Sequence, residues 1–171
     1  ASEAASMDFL FFADSAAVRE ADIEPLSRSS QYTAYFEPTT LLASLAMHTK
    51  HIGLVATQTS SYNEPYNLAR RMASLDHLSG GRAGWNCVTS GNHAEAYNFG
   101  RDEHYEPDER YRMAQEFVEV VKGLWDSWDD DAFVYDRDGG RFFKPEGLHR
   151  LNHEGTYFKS RGPLNVPRPP Q

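Results

Sequence analysis

Polar side chains follow three successive apolar segments directly, and they are the residues of this sequence best placed to bind a ligand. They are Asp14 and Ser15, then Thr57, Gln58 and Thr59, then Asn86, Thr89 and Ser90. Most of them are neutral hydrogen-bonding groups, which suit the polar edge of a heteroaromatic cofactor better than a metal ion. Loops are also polar simply because they lie at the surface. The repetition after three segments favours one shared binding site.

Two histidines follow the third apolar segment and are candidates for acid–base chemistry, because histidine titrates near neutral pH. They are His93 and His104. The sequence has no H-E-x-x-H pair, and its single cysteine has no partner at ligand spacing. The acidic run at 129–131 lacks the glycine and the distal glutamate of a calcium-binding loop. We therefore predict no metal site.

The stretch LDHLSGGRAGWNCVTSG, residues 75–91, raises the question of a phosphate-binding glycine loop. Such a loop follows a strand and opens a helix. Here the order is reversed, because the apolar residues before Gly80 recur at helical spacing. We predict that Gly80 and Gly81 end a helix with left-handed backbone conformations. The segment 82–88 is then a strand, and its far end carries the polar residues.

Strands and helices alternate along the first part of the chain. The pattern predicts strands at 8–13, 51–56 and 82–88, and helices starting near Pro38, over 65–78 and over 111–125. This alternation is typical of parallel βαβ units. In parallel α/β folds ligands bind at the carboxyl ends of the strands, where the polar groups lie.

The last part of the chain has a different character. The turn signals Asp138-Gly139-Gly140 and 152–155 separate short aromatic runs, which is typical of small hairpins. We predict β/α units over 1–126, and over 127–171 an insertion with short hairpins and a linker. Residues 1–6 look like the end of a helix, and about three units cannot close an eight-stranded barrel of about 250 residues. The chain is either part of a longer polypeptide or a smaller open sheet.

Composition excludes several classes of protein. The 171 residues carry a net charge of −8, which argues against non-specific binding to nucleic acid or to anionic membranes. No apolar run approaches the roughly 20 residues of a membrane-spanning helix, and no signal peptide is visible. The lone cysteine, Cys87, excludes an internal disulfide framework and suits the cytoplasm. Within its predicted strand, Cys87 is expected to be a buried small apolar residue.

Five stretches carry a longer pattern: FLFFADS, EPTTLLASLAMHTKHIGLVATQTSSYNEPYNLARRMASLDHLSGGRAGWNCVTS, NFGRDEHYEPDERY, EFVEVVKGLWDSW and GPLNVPRPPQ. Together they resemble the bacterial-luciferase-like flavin monooxygenases. The resemblance is strongest to the branch of the nitrilotriacetate and dibenzothiophene-sulfone monooxygenases. It covers nearly the whole chain and implies an α/β fold that forms part of a (β/α)8 TIM barrel, about strands 2–4 plus an insertion.

The resemblance also implies a cofactor and the residues that hold it. The family uses reduced FMN (FMNH2) delivered by a separate flavin reductase. By position in the quoted motifs, Asp14 and Thr57 would approach the isoalloxazine ring, and Asn86 and Ser90 would line the same face. Tyr111 of DERY would reach the cofactor from the long helix. Catalytic residues are not assigned beyond the candidates His104 and His93.

The function implied is oxygenation of a small organic substrate with O2 by a two-component, cytoplasmic monooxygenase. We expect a homo-oligomer with no nucleic-acid or membrane partner. The alternative is a truncated, non-catalytic piece that binds a partner chain or no flavin. A weaker third interpretation is a barrel hydrolase that uses Asp14 with another carboxylate, although no second acid marks a strand end.

Overall fold

The computed structural model describes residues 2–19, 23–30 and 33–171. The elements are β1 (Phe9–Phe12), α1 (Ile23–Leu26), α2 (Pro38–Ala46), β2 (Gly53–Thr59), α3 (Pro65–Ser79), β3 (Ala83–Val88), α4 (Glu95–Asn98), α5 (Pro107–Trp125), β4 (Phe133–Asp136), β5 (Arg141–Phe143), β6 (His153–Glu154) and β7 (Lys159–Ser160). The predicted alternation of strands and helices is confirmed, and the bounds differ by a few residues.

The first three strands form a parallel sheet in the order β1-β2-β3. One face is covered by the helices: Leu54 and Ala56 of β2 are fully buried, and Trp85 packs 6.1 Å from Phe117 of α5 between ring centroids. Side chains of the opposite face are open, since Phe9 and Phe11 are 56% and 52% exposed. The alternation of side chains along a strand therefore divides this sheet into a packed face and an open face.

The two glycines after α3 end the helix, as predicted. Gly80 has φ of 67° and Gly81 has φ of 82°, in the left-handed region that favours glycine. The N–H of Gly81 donates to the carbonyl of Asp76 at 2.9 Å, which closes the helix end. The chain then turns directly into β3, so these glycines connect a helix to a strand, which is the reverse of the order in a phosphate-binding loop.

Arg82, the residue after the two glycines, joins four chain segments at the amino end of the sheet. Its Nε donates to the Ser79 carbonyl at 2.7 Å, where α3 ends. Its two terminal nitrogens donate to Thr49 Oγ1 at 3.0 Å, to the Ile52 carbonyl at 2.6 Å, and to the Ala46 and Thr49 carbonyls at 3.3 and 3.1 Å. These bonds use the full donor capacity of a guanidinium. The cation also lies at the negative carboxyl ends of α2 and α3.

Helix α5 and the segment after it close the packed face. Phe117, Val121 and Leu124 of α5 are fully buried in the same core as α3. The Glu116 carboxylate accepts hydrogen bonds from the backbone N–H groups of residues 156–158 and from His153, which fixes the β6–β7 hairpin against α5. In the described part of the chain, no helix is both long enough and apolar enough to cross a membrane.

Residues 2–6 are turns that carry the hydrogen bonds of a helix end, in agreement with the prediction. The N–H of Met7 donates to the Ser2 carbonyl at 3.3 Å, the N–H of Ser6 donates to the Glu3 carbonyl at 3.0 Å, and Ser6 has a left-handed φ of 56°. Residue 1 lies outside the described residues.

Two predictions about local structure are wrong. Cys87 is exposed, because β3 is an edge strand and has no further strand beside it among the described residues. His153 and Glu154 lie in β6 and not in a turn, because they pair with β7. The predicted boundary between 126 and 127 stays a prediction.

Replacing Arg82 by Met is expected to lower the free energy of unfolding by about 3 kcal/mol, because several carbonyl groups then lose a charged donor. Urea-induced unfolding followed by circular dichroism measures the change. Arg70→Met is the matched control, since Arg70 is an exposed arginine on α3. It should change stability by less than about 0.5 kcal/mol. Equal losses in the two variants would contradict the role given to Arg82.

Candidate functional site

A cavity of about 330 Å3 lies at the carboxyl ends of β1, β2 and β3. We call it the strand-end cavity. It lies within the size range of small-molecule sites, which begins at about 300 Å3. Its lining includes Asp14, Glu37, Thr57, Thr59, Ser90 and Glu95. Of the polar residues predicted to form one site, six line this cavity and two do not: Asp14, Ser15, Thr57, Gln58, Thr59 and Ser90 line it, whereas Asn86 and Thr89 are not in its lining. Their shared role in binding a ligand stays a prediction.

Thr57 and Asn86 form a hydrogen-bonded pair beside this cavity. They are directly opposite each other in the register of β2 and β3, and the Asn86 Nδ2 donates to Thr57 Oγ1 at 3.0 Å. Thr57 lines the cavity and is 3% exposed. Among the described residues, no group donates to Asn86 Oδ1. The pair thus fixes the orientation of an amide whose oxygen is available to a ligand.

A buried carboxylate connects the ends of β1 and β3. Glu95 is 3% exposed and accepts hydrogen bonds from Ser15 Oγ at 2.8 Å and from Ser90 Oγ at 2.6 Å. Ser90 has φ of 60°, an uncommon conformation for a residue with a side chain. Sequence reasoning missed this role, because Glu95 stands among other polar residues and one of its two serine partners lies 80 residues away.

Asp14 shares the cavity with two further carboxylates. Burial raises the pKa of Asp14 above its ordinary value of 3.8, and the negative charges of Glu37 and Glu95 raise it further. A hydrogen bond from the Ser15 N–H opposes this effect. Desolvation and like charges both favour the neutral acid. Asp14 is therefore protonated more readily than a free aspartic acid.

The pKa of Glu37 is shifted in the opposite direction to that of Asp14. Burial acts to raise its pKa, but hydrogen bonds from Thr40 and Thr39 outweigh burial and lower the pKa below the ordinary value of 4.5. The backbone N–H groups of both threonines donate to it at the start of α2, at 2.9 and 2.7 Å. Gln58 Nε2 donates to the same carboxylate at 2.6 Å. Glu37 is thus an ionised helix cap that also holds the end of β2.

His104 contacts the site through the backbone of Ser90. Its Nε2 lies 3.1 Å from the Ser90 carbonyl, and its Nδ1 is hydrogen-bonded to the Tyr62 hydroxyl. Arg110 donates to the same carbonyl. His93 is exposed, with its ring centroid 5.4 Å from that of His104. Neither histidine is among the residues that line the strand-end cavity.

Tyr111 stands apart from the other four predicted cofactor contacts. It lies in the first turns of α5, is 67% exposed, and is not in the lining of the cavity. Asn86 reaches the cavity through Thr57, whereas Asp14, Thr57 and Ser90 line it directly. Over the residues described, no group of three or more His, Cys, Asp or Glu side chains is placed to hold a metal ion.

A family model described as "Luciferase-like monooxygenase" matches residues 2–171. The chain belongs to the luciferase-like monooxygenase family. It is 54% identical over 175 residues to nitrilotriacetate monooxygenase component A of Aminobacter aminovorans, and 46% identical over 173 residues to dibenzothiophene-sulfone monooxygenase of Rhodococcus erythropolis. Each match covers 99% of this chain but only 39% and 38% of the relative. The predicted family and branch are confirmed.

Solved structures share the fold of this chain. A crystal structure of a long-chain alkane monooxygenase matches 99% of this chain with a TM-score of 0.93 and 36% identity, and the match covers 40% of that chain. A riboflavin lyase crystallised with modified FMN and riboflavin matches 96% of this chain and 38% of its own, with a TM-score of 0.88 and 39% identity. The parallel sheet and its helices are part of a luciferase-like TIM barrel, as predicted.

Asp14→Asn is expected to raise stability at pH 7, because the variant removes a carboxylate that folding desolvates beside two others. An acid whose pKa is raised on folding opposes the folded state once pH exceeds its ordinary value, here 3.8. The gain should therefore shrink as pH falls through the raised pKa and vanish below 3.8.

The measurement is urea unfolding of both proteins from pH 3 to pH 8. Asp102→Asn, at an exposed aspartate, serves as the control and should show no such pH-dependent gain. A variant less stable than the wild-type protein at pH 7 would contradict this account of Asp14.

Proposed function

We propose that this chain forms part of the flavin site of a reduced-FMN-dependent monooxygenase. The observation that carries the proposal is the convergence of Asp14, Thr57, Asn86 and Ser90 at the carboxyl ends of three parallel strands. This edge of a barrel is where active sites of the fold lie. Three of the four residues line one cavity, and the fourth, Asn86, is hydrogen-bonded to Thr57 in its wall, in a chain of the luciferase-like monooxygenase family.

The chemistry of the cavity suits the flat, partly polar ring of a flavin. Asn86 offers an amide oxygen with no donor among the described residues, and its position is fixed by Thr57. Phe9 and Phe11 expose apolar surface on the same face of the sheet as Thr57. The site therefore combines an apolar surface with fixed hydrogen-bonding groups, as small-molecule sites generally do.

Reduced FMN, when bound, supplies the reaction with O2 that transfers an oxygen atom to the substrate. Within the proposal, Asn86 accepts a hydrogen bond from the polar edge of the ring. Asp14, because its pKa is raised, can donate a hydrogen bond in its protonated form. Glu95 holds the hydroxyl groups of Ser15 and Ser90 in place. Tyr111 is included among the proposed FMN contacts only because of its position in the DERY motif. The proposed role of His104 is to hold Ser90 in place through its contact with the Ser90 carbonyl.

The substrate and partner are further parts of the proposal. The relative in Aminobacter aminovorans is named component A, and two relatives in Streptomyces pristinaespiralis are named synthase subunits. These names support a second protein component, which we propose is a flavin reductase that delivers FMNH2. A small organic substrate, O2, a homo-oligomeric state and a cytoplasmic location complete the proposal.

A second candidate is a non-catalytic piece that binds another chain or no flavin. Exposure of Phe9 and Phe11 favours it, because barrel strands normally bury both faces. The chain spans about 40% of the length of its relatives, so the remaining barrel is not in these residues. FMN binding separates the two candidates, since only the first requires it.

Asn86→Ala is expected to weaken FMN binding by about 1–3 kcal/mol, because a buried ring-edge hydrogen bond is lost. Quenching of flavin fluorescence on titration with the protein measures the affinity. Asn165→Ala, at an exposed asparagine far along the chain, is the matched control and should leave the affinity unchanged. Equal affinities of wild type and Asn86→Ala would remove Asn86 from the site.

Oxygenation is expected to require reduced FMN supplied from outside the protein. With a flavin reductase, NADH and FMN present, product should form, and omission of either reductase or FMN should abolish it. Product analysis with 18O2 measures oxygen transfer directly. Turnover by the purified protein with NADH alone would contradict the two-component mechanism.

A further inference from the structure

Tyr62 connects His104 to the strand-end cavity. Its side chain lies in the wall of the cavity, and its hydroxyl group is hydrogen-bonded to His104 Nδ1. Its ring stacks on Phe99, with 4.8 Å between the ring centroids and an interplanar angle of 8°. The stack and the hydrogen bond together fix the position of the hydroxyl oxygen. Because His104 is not in the lining of the cavity, Tyr62 is the member of this pair that a bound compound meets.

The contacts of the His104 ring decide which of its two nitrogens carries a proton. Nε2 lies 3.1 Å from the Ser90 carbonyl oxygen, which can only accept a hydrogen bond. Arg110 Nη1, 3.2 Å from Nε2, donates to the same carbonyl, so the two nitrogens share one acceptor. In the neutral ring the proton is therefore on Nε2, and Nδ1 is left as an acceptor.

The Tyr62 oxygen is consequently an acceptor toward any bound compound. Tyrosine has a single hydroxyl proton, and Nδ1 of His104 takes the hydrogen bond that this proton makes. Burial raises the pKa of Tyr62 above its ordinary value of 10.0, so the hydroxyl group keeps its proton at neutral pH. A compound that contacts this oxygen must then supply an O–H or N–H donor. A compound that offers only an acceptor leaves two oxygen lone pairs facing each other, which costs binding energy.

Other neutral groups in the lining also give their protons to partners within the protein. The hydroxyl groups of Ser15 and Ser90 donate to Glu95 at 2.8 and 2.6 Å. The Gln58 amide nitrogen donates to Glu37 at 2.6 Å. These bonds leave oxygen lone pairs for a ligand, in agreement with the polarity of Tyr62.

The charged groups of the lining are of both signs. Asp14, Glu37 and Glu95 are acidic, and Arg19 and Arg71 are basic. Because cations and anions both find an opposite charge here, charge alone does not decide which small compound is bound. The direction of the neutral hydrogen bonds is then the feature that distinguishes compounds of similar size.

We propose that Tyr62 determines specificity at this site, and that the substrate carries an O–H or N–H group which donates to the Tyr62 oxygen. The inference rests on the proposed function, since it assigns a substrate class to the same site. In that proposal the Asn86 oxygen contacts the flavin ring, which leaves Tyr62 for the substrate. Tyr62 also lines an adjoining hollow of about 630 Å3, so a substrate has room beside the flavin.

Nuclear magnetic resonance of the protein with 15N-labelled histidine tests the protonation state on which the proposal depends. At pH 8, where a histidine of ordinary pKa is neutral, the spectrum should show His104 with a proton on Nε2 and none on Nδ1. His104→Gln identifies the two signals by their absence. A proton on Nδ1 would overturn the proposal, because the Tyr62 proton would then be free to be donated to a ligand.

The binding test compares 4-methylphenol with anisole, which are isomers and differ in whether they can donate a hydrogen bond. Isothermal titration calorimetry at pH 8 measures the affinity of each probe. The ratio of the two affinities should be about fivefold more in favour of 4-methylphenol in the wild-type protein than in Tyr62→Phe, since one neutral hydrogen bond contributes about that factor. Tyr62→Phe retains the ring that stacks on Phe99 and removes only the hydroxyl group.

Tyr97→Phe is the matched control, because Tyr97 is an exposed tyrosine of α4 that lines neither hollow. It should leave the ratio of affinities as it is in the wild-type protein. The circular dichroism spectrum and melting curve of each variant establish that it is folded. An unchanged ratio in Tyr62→Phe, or the absence of 4-methylphenol binding to the wild-type protein, would overturn the proposal.

A further arm repeats the titration with saturating FMN, because the flavin ring also carries an N–H group. 4-Methylphenol should bind with the same preference when FMN is present. Displacement of 4-methylphenol by FMN would assign the Tyr62 oxygen to the cofactor and overturn the proposal while leaving the flavin function intact. Failure of the protein to bind FMN, with the preference for 4-methylphenol retained, would instead contradict the proposed function.

Discussion

The hydrogen bonds of Arg82 are the interaction on which the arrangement of the sheet depends. One guanidinium satisfies carbonyl groups at the end of α2, in the loop before β2 and at the end of α3. A carbonyl group at a helix end that has no hydrogen-bond partner and no access to water lowers the stability of the fold. A cation at this position also interacts favourably with the negative end of the helix dipole. Since Arg82 precedes β3 directly, it sets where β3 starts against β2. The register of the two strands follows from that start.

Register in turn decides which side chains meet at the other end of the sheet. A shift of one residue would turn Thr57 and Asn86 to opposite faces and break their hydrogen bond. At the amino end of the sheet, the Arg82 guanidinium has its donors in internal hydrogen bonds. The carboxyl end keeps groups that face outward, including a carboxyl, Asp14, with a raised pKa. In parallel α/β folds, ligands bind at the carboxyl ends of the strands, whereas the amino ends contribute to stability. The polar groups of this sheet follow the same division.

Periodicity and turn chemistry were enough to predict β1, β2 and β3, the helices α2, α3 and α5, the start of α2 and the end of α3, because these depend on local sequence. The short helices α1 and α4 were not predicted. The meeting of the polar strand ends followed from parallel topology. Long-range pairs escaped prediction, because the role of Glu95 depends on a serine 80 residues away. Exposure of Cys87 escaped for the same reason, since nothing local marks an edge strand.

Hydrogen–deuterium exchange with and without FMN tests the central claim most directly, namely that ligand binding occurs at the carboxyl ends of the strands. On addition of FMN, amides in 57–59 and 86–90 should exchange more slowly, because the bound flavin covers them. Amides at the amino end, in 49–53 and 79–82, should keep their rates. Protection confined to the amino end, or no protection anywhere in the sheet at saturating FMN, would contradict the account.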